Sequence, residues 1–498
     1  MSALFPRRAS GVLLHPTSLP GRHGSGTLGL EARRFVDFLA ASGQTLWQVL
    51  PLGPTGFGHS PYSALSAFAG NPLLISPELL FEEGLLEKEE LPPEPASPPQ
   101  QADFERAEGE SERFLRRAYG RFLQRSYDQS EFRQFCGEQV EWLEEYACYR
   151  ALKRHFGERS WLDWPAEYAR SEAQALACFR QEQAKEIDYH RFVQYLFFRQ
   201  WRQLREYAKS RGIRIIGDLP IYVAMDSADT WGQRDIFQLD ECSRPREVGG
   251  VPPDYFNENG QLWGNPVYDW ERNAQTGYAW WIRRLRHALR MVDIVRIDHF
   301  RGFEAYYAIP YGEETARNGR WRKGPGAALF TALKAALGDL PIIVEDLGVI
   351  TPEVIDLREQ FGFPGIKLLQ FAFDSGDANG NAFIPFRYPH NCVVFTGTHD
   401  NDTTLGWFHA ASPEDRKRAL EYMNTDGSDI GWDFIRLGLA SVADAFIVPM
   451  QDVLGLGTEH RMNYPGTLEG NWRWRFQWDR LAESTVSKLA WLTKLYGR

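Results

Sequence analysis

The sequence predicts one (β/α)8 barrel carrying large insertions, and three observations predict it. Eight short apolar, β-branched runs recur along the chain: GVLLHPTSLP from Gly11, TLWQVLPLGP from Thr45, IRIIGDLP from Ile213, VDIVRIDHF from Val292, PIIVEDLG from Pro341, GIKLLQFAFD from Gly365, NCVVFTGTHD from Asn391 and AFIVPMQD from Ala445. They are continuous rather than alternating, as strands buried on both faces of a parallel sheet are. Helical patterns such as LEARRFVDFLAASG and AWWIRRLRHALRM lie between them, giving a β-α-β-α order. Each run then breaks into a polar or Gly/Pro cluster, and in a barrel the C-terminal strand ends all open on the active-site face. The alternative is an open doubly wound sheet, but no G-x-G-x-x-G follows a strand to support it.

A chain of 498 residues is long for one domain, and the eight runs leave room for three insertions. Residues from about 77 to 205 open with the acidic, Pro-rich EEGLLEKEELPPEPASPPQ and continue with charged and aromatic residues at helical spacing, so a helical subdomain is expected. Residues 238–270 hold GGVPPDYFNENGQLWGNPVYDW, which reads as an irregular loop subdomain at the barrel mouth, a natural place for binding. From about 403 to 440, SPEDRKRALEYMN reads as helix, with Ser412 as cap and Glu414 and Asp415 in its first turn.

A formal charge of -10 argues against nucleic acid, whose binding needs a basic face. No run of about 18 apolar residues could span a bilayer, so no membrane is expected. Sugars or small metabolites fit better, and an aromatic content of 14% suits carbohydrate. The five cysteines form no C-x-x-C and no disulfide framework, and the N-terminus lacks the apolar core of a signal peptide, so a reducing, cytoplasmic setting is expected.

If the barrel is right, polar residues at the strand ends converge on one rim. The third run delivers Asp218, the fourth Arg296, Asp298 and His299, the fifth Glu345 and Asp346, the seventh His399, Asp400 and Asp402. Two carboxylates on neighbouring strands suit glycosidic bond cleavage, one as nucleophile and one as acid. Metal binding competes, since Asp/Glu/His clusters ligate Mg²⁺, Ca²⁺ or zinc. A structural ion pair of Arg296 with Asp298 or Asp346 is the third reading. Arg296 projects to the same strand face as Asp298, where its charge would keep that carboxylate ionised.

VRIDHF, VEDLG and GTHDN resemble the catalytic stretches of the 4-α-glucanotransferases called amylomaltase or disproportionating enzyme, in the α-amylase clan. The similarity runs from SGVLLHPTSLPGRHGSGTLG through GHSPYSALSAFAGNP, GDLPIYVAMDSADTW, GVPPDYF and WGNPVYDW to RMNYPGT and GNWRWR, nearly the whole chain. The resemblance implies Asp298 as nucleophile, Glu345 as general acid/base and Asp400 as stabiliser of the distorted sugar. It implies sugar contacts from His299, His399 and Asp218, and stacking on Tyr62. Tyr255, Phe256, Gln261 and Trp263 would lie on a loop that closes over the glucan, with Asp374, Asn463 and Pro465 contributing further out. It implies α-1,4-glucan or maltooligosaccharide substrates, and no metal or cofactor is expected. A hydrolase of the same clan, or a glucan-binding protein without activity, remains the alternative.

Overall fold

The computed structural model describes residues 4–95, 99–124, 129–253, 257–376, 381–467 and 469–498. Eight parallel strands form the barrel: β1 (Ala9–Leu13), β2 (Leu46–Gln48), β3 (Arg214–Leu219), β6 (Ile294–Ile297), β9 (Ile342–Val344), β10 (Gly365–Leu368), β11 (Cys392–Phe395) and β12 (Ala445–Pro449). Each of the eight apolar runs supplies one of them. Their order is β10-β11-β12-β1-β2-β3-β6-β9, so the sheet curls until β9 and β10 meet. That seam is closed by Val344 N–H donating to the Pro364 carbonyl at 3.0 Å and by the Asp346 carboxylate, which accepts from Ile366 N–H at 2.8 Å and Arg358 at 2.6 Å. Asp346 is therefore a fastener of the barrel wall.

Side chains alternate along a strand, so one parity faces the barrel axis and the other the helices. Ala9, Leu13, Leu46, Ile216, Ile294, Ile343, Ile366, Val393, Phe395, Ala445 and Ile447 form one buried cluster inside the barrel. Counting on by twos from these residues reaches His15, Asp218, Arg296, Asp298, Glu345 and His399. The inward parity that packs aliphatics low in the barrel thus presents charge and imidazole at its C-terminal rim. Close approach within the wall explains Gly11, where a Cβ would lie 2.2 Å from the Leu46 carbonyl oxygen.

Outward-facing residues pack beneath helices such as Leu30–Ala41, which buries Ala32, Phe35, Val36 and Leu39 at helical spacing. Between β2 and β3 the chain forms helices including Phe104–Gln124, Ser130–Glu138, Val140–His155 and Ala184–Ser210. Two buried glutamines of the last one clamp an incoming loop: Gln194 bonds the Gly70 N–H and carbonyl, and Gln200 those of Ser76. After β11 come helices Thr404–Ala410, Pro413–Met423 and Ile430–Ala440, with Ser412 Oγ accepting from Asp415 N–H at 3.1 Å.

Segment 238–270 differs from the irregular loop expected. It contains β4 (Glu247–Val251) and β5 (Gln261–Pro266), which join β7 (Ala305–Pro310) and β8 (Arg320–Lys323) in an antiparallel sheet ordered β5-β4-β7-β8. Gly and Asn occupy positions where a strand usually shows β-branched residues, so the pattern hid strands held by their partners' ladders. Among the described residues no helix is long and apolar enough to cross a membrane.

Candidate active site

Arg296 organises the rim. It lies opposite Asp218 in the β3–β6 ladder and is 3% exposed. Its Nη1 donates to both Asp218 oxygens, at 2.7 and 2.6 Å, and to Asp298 Oδ1 at 3.0 Å, while Nη2 stands 3.4 Å from Glu345 Oε2. One guanidinium thus serves three carboxylates. Burial works against its charge, but Asp218, Asp298 and Glu345 outweigh that and hold it firmly cationic.

The strand ladders continue into Asp298 and Glu345 and fix their heights. Asp298 N–H bonds the Leu219 carbonyl at 3.0 Å, and Glu345 N–H bonds that of Ile297 at 2.9 Å. The chain then turns at His299, whose φ of 49° is left-handed. This turn aims the His299 N–H at Glu345 Oε2, 2.7 Å away. Non-glycine residues adopt such a conformation at a cost of about 1–3 kcal/mol, and it persists where surrounding contacts dictate it.

Burial, followed by the adjacent Asp298 charge, pushes the Glu345 carboxyl up to about 8 against the pull of Arg296. A value that high favours the protonated acid at neutral pH. Burial also lowers His299 to about 4, leaving a neutral imidazole. Trp263 meets that ring edge-on at 4.9 Å, and its Nε1 donates to Gln261 Oε1 at 3.1 Å.

Across the rim, Asp400 accepts from Asn463 Nδ2 at 2.6 Å and lies 3.4 Å from His399 Nε2. Tyr62 donates its hydroxyl to Asp218 at 2.8 Å, and its ring stacks on His399 with centroids 5.1 Å apart and planes 15° from parallel. Aromatic rings and carboxylates thus stand side by side at the rim.

The family model described as 4-alpha-glucanotransferase matches residues 14–481. The chain belongs to the 4-alpha-glucanotransferase family. A 4-alpha-glucanotransferase from Synechocystis sp. is 50% identical across 99% of both chains, and one from Thermus thermophilus is 48% identical across 94% of each. Among solved structures, an amylomaltase from Streptococcus agalactiae in complex with acarbose is 40% identical and superposes with a TM-score of 0.96, covering 99% of this chain and 100% of that one.

Within this 4-alpha-glucanotransferase fold, eleven of the residues named from sequence are joined to one another by the contacts above: Tyr62, Asp218, Gln261, Trp263, Arg296, Asp298, His299, Glu345, His399, Asp400 and Asn463. Pro465 is exposed two residues beyond Asn463. Asp374 is exposed; its Oδ1 accepts from Gly376 N–H and its carbonyl from Arg418. Tyr255 and Phe256 lie outside the described residues.

Three neighbours escaped the sequence reading. Trp472 lies 5.8 Å from the Tyr62 ring and 5.9 Å from that of His399, completing an aromatic trio. Arg461 bonds both the Asn463 carbonyl, at 2.7 Å, and the Asp400 carbonyl, and so ties the C-terminal segment to the rim. His15, 3% exposed, is held neutral at about 3 by burial and by nearby His399. The family motifs GNWRWR, RMNYPGT and LLHPTSLP carry all three, but nothing local marks which residue in each faces inward.

Proposed function

We propose that this rim performs the retaining transfer of an α-1,4-glucan segment from a maltooligosaccharide or starch-like donor to the 4-hydroxyl of an acceptor glucan or glucose. The single observation that carries the reading is Arg296 gathering Asp218, Asp298 and Glu345, in a buried setting that raises the Glu345 carboxyl. Asp298 attacks the anomeric carbon of the donor while Glu345 gives its proton to the departing 4-oxygen. The result is a glycosyl-aspartate and an ionised Glu345. An acceptor 4-hydroxyl then loses its proton to Glu345 and displaces Asp298, which restores both groups.

Neighbouring strand ends suit this retaining chemistry, since an inverting pair must stand about 6.5–9.5 Å apart to admit water. Asp400, steadied by Asn463, faces the developing positive charge of the sugar, and His299 and His399 bond its hydroxyls. Tyr62 offers a stacking ring to a sugar, and Gln261 and Trp263 stand on the segment proposed to close over the glucan, to which Tyr255 and Phe256 belong in sequence. Asp374 and Pro465 bear on more distant sugars. The whole is read as one barrel domain with insertions at 77–205, 238–270 and about 403–440, and the five free cysteines suit a cytoplasmic setting.

Incubation with maltotriose tests the reading. Transfer yields glucose together with maltopentaose and longer chains. Glucose and maltose without longer products would make the enzyme a hydrolase, and no change would make the barrel a binding protein.

A further inference from the structure

A second cavity lies away from the rim, between helices Ser130–Glu138, Ala184–Ser210 and Ala279–Met291, with a volume of about 430 Å³. That is within the size range of small-molecule sites. Part of its lining is aromatic: Phe135 and Phe198, both half-buried, have ring centroids 5.5 Å apart.

The rest of the lining has an uneven charge. Arg202, Lys209 and Arg290 line the cavity, are exposed, and have no side-chain hydrogen bond or carboxylate within 4.0 Å among the described residues. Of the lining carboxylates, Asp293 alone meets a cation within 4.0 Å among the described residues, and the others keep their charge. Glu131 accepts from the Tyr195 hydroxyl at 3.0 Å, Glu138 from Gln134 at 2.8 Å, and Asp293 from Arg205 at 3.0 Å. Five cations, Arg199, Arg202, Arg205, Lys209 and Arg290, thus line the cavity against four carboxylates, and Arg202, Lys209 and Arg290 are the three without a carboxylate partner among the described residues. The unpartnered cations and the flat apolar surface ask for different parts of one ligand. Guanidinium groups recognise phosphate through paired N–H donors, and aromatic faces accept a sugar or base ring.

The cavity also has a wall in common with the active-site region. His287 and Met291 line it and line, too, a smaller cavity of about 110 Å³ that reaches Tyr62 and Asp218. The His287 ring packs between Phe198, at 5.6 Å, and Phe68, at 5.4 Å.

We propose that this cleft binds an organic phosphate, with the phosphate on Arg202, Arg290 and Lys209 and the organic body against Phe135 and Phe198, and that occupancy is transmitted to the rim through His287 and Met291. The binding half stands independently of the transfer reading, and the coupling half rests on it.

Titration calorimetry on the full chain tests the binding half, using glucose 1-phosphate, ADP, inorganic phosphate and glucose as probes. At least one of the two organic phosphates should bind saturably and about tenfold more tightly than inorganic phosphate or glucose. Arg202→Glu with Arg290→Glu should weaken that binding at least about tenfold while leaving thermal stability and maltotriose transfer without ligand unchanged. Glucose 1-phosphate and ADP differ in their bodies, so their ranking identifies a sugar or a nucleotide source. Equal affinity for inorganic phosphate would overturn the role of the aromatic surface, and equal affinity for glucose that of the cations. Absence of binding at millimolar concentrations, or binding unaffected by the charge reversal, would overturn the site. Maltotriose kinetics at saturating ligand test the coupling. A change in KM or kcat that the double variant abolishes supports it, and unchanged kinetics with demonstrated binding overturns it.

Discussion

Removing Arg296 would strand Asp218, whose side chain is fully buried beside it. Breaking a buried ion pair by deleting one partner costs about 3–5 kcal/mol, because the remaining charge has lost its compensation. Arg296→Gln should therefore lower the free energy of urea unfolding by about that amount and abolish maltotriose transfer. Arg296→Lys should also lose most activity, since an ammonium cannot reproduce the planar fork that reaches three carboxylates. Glu345 sets the pH dependence. Its folded value of about 8 lies above the ordinary 4.5, so the folded state holds this proton more tightly than the unfolded chain. The stabilisation this provides is complete below about 4.5 and lost as pH rises through about 8. The acid is lost over the same upper range, so kcat/KM for transfer should fall as one proton leaves near pH 8. Glu345→Gln should reduce the rate about 10²–10⁴-fold and remove that limb, and a limb that persists in the variant would assign it to another group.

The strand pair β4 and β5 brings together features that no single side chain provides. It holds Trp263 against His299 at 4.9 Å and, between its strands, carries the segment with Tyr255 and Phe256. A glycosyl-enzyme intermediate is hydrolysed by water at about 55 M unless something excludes water and positions the acceptor hydroxyl. Replacing Tyr255 and Phe256 by Ser should raise the ratio of new reducing ends to transferred units. Cleavage should change less, because Asp298 and Glu345 are untouched. An unchanged ratio in a folded variant would place the control of water elsewhere, with the acceptor itself as the next candidate.

Barrel closure is a property of the molecule as a whole, and it depends on Asp346. Asp346→Ala leaves the Ile366 N–H unsatisfied and Arg358 with only the exposed Glu359 as a partner at the β9–β10 seam. A loss of about 3–5 kcal/mol in unfolding free energy is expected. Activity should suffer as well, because β9 carries Glu345 to its place. The same frame bears on metal dependence. Three rim carboxylates already share the Arg296 charge, so dialysis against a chelator should leave maltotriose transfer unchanged. Loss of activity restored by Ca²⁺ or Mg²⁺ would require a cation site in the acidic rim.

Sequence by itself determined the barrel and most of its rim. Continuous apolar runs are readable because a strand buried on both faces has little use for polar residues, and the break from Ile297 to Asp298 marks where burial ends. It also brought out the rim carboxylates, since three successive polar strand ends are hard to reconcile with core. Tertiary structure decided the rest. Asp346 and Glu345 are adjacent in the chain, yet opposite parity sends one into the wall and the other to the rim, which only the closed barrel fixes. The left-handed turn at His299, the protonation of Glu345 and the place of Trp472 beside Tyr62 all depend on neighbours distant in sequence. Strands β4 and β5 are Gly-rich and stand as strands because β7 and β8 supply partners. Local pattern records what a residue avoids, namely water or apolar surroundings. Which groups it meets, and so its charge state and its chemistry, is set by contacts between segments that the chain order keeps apart.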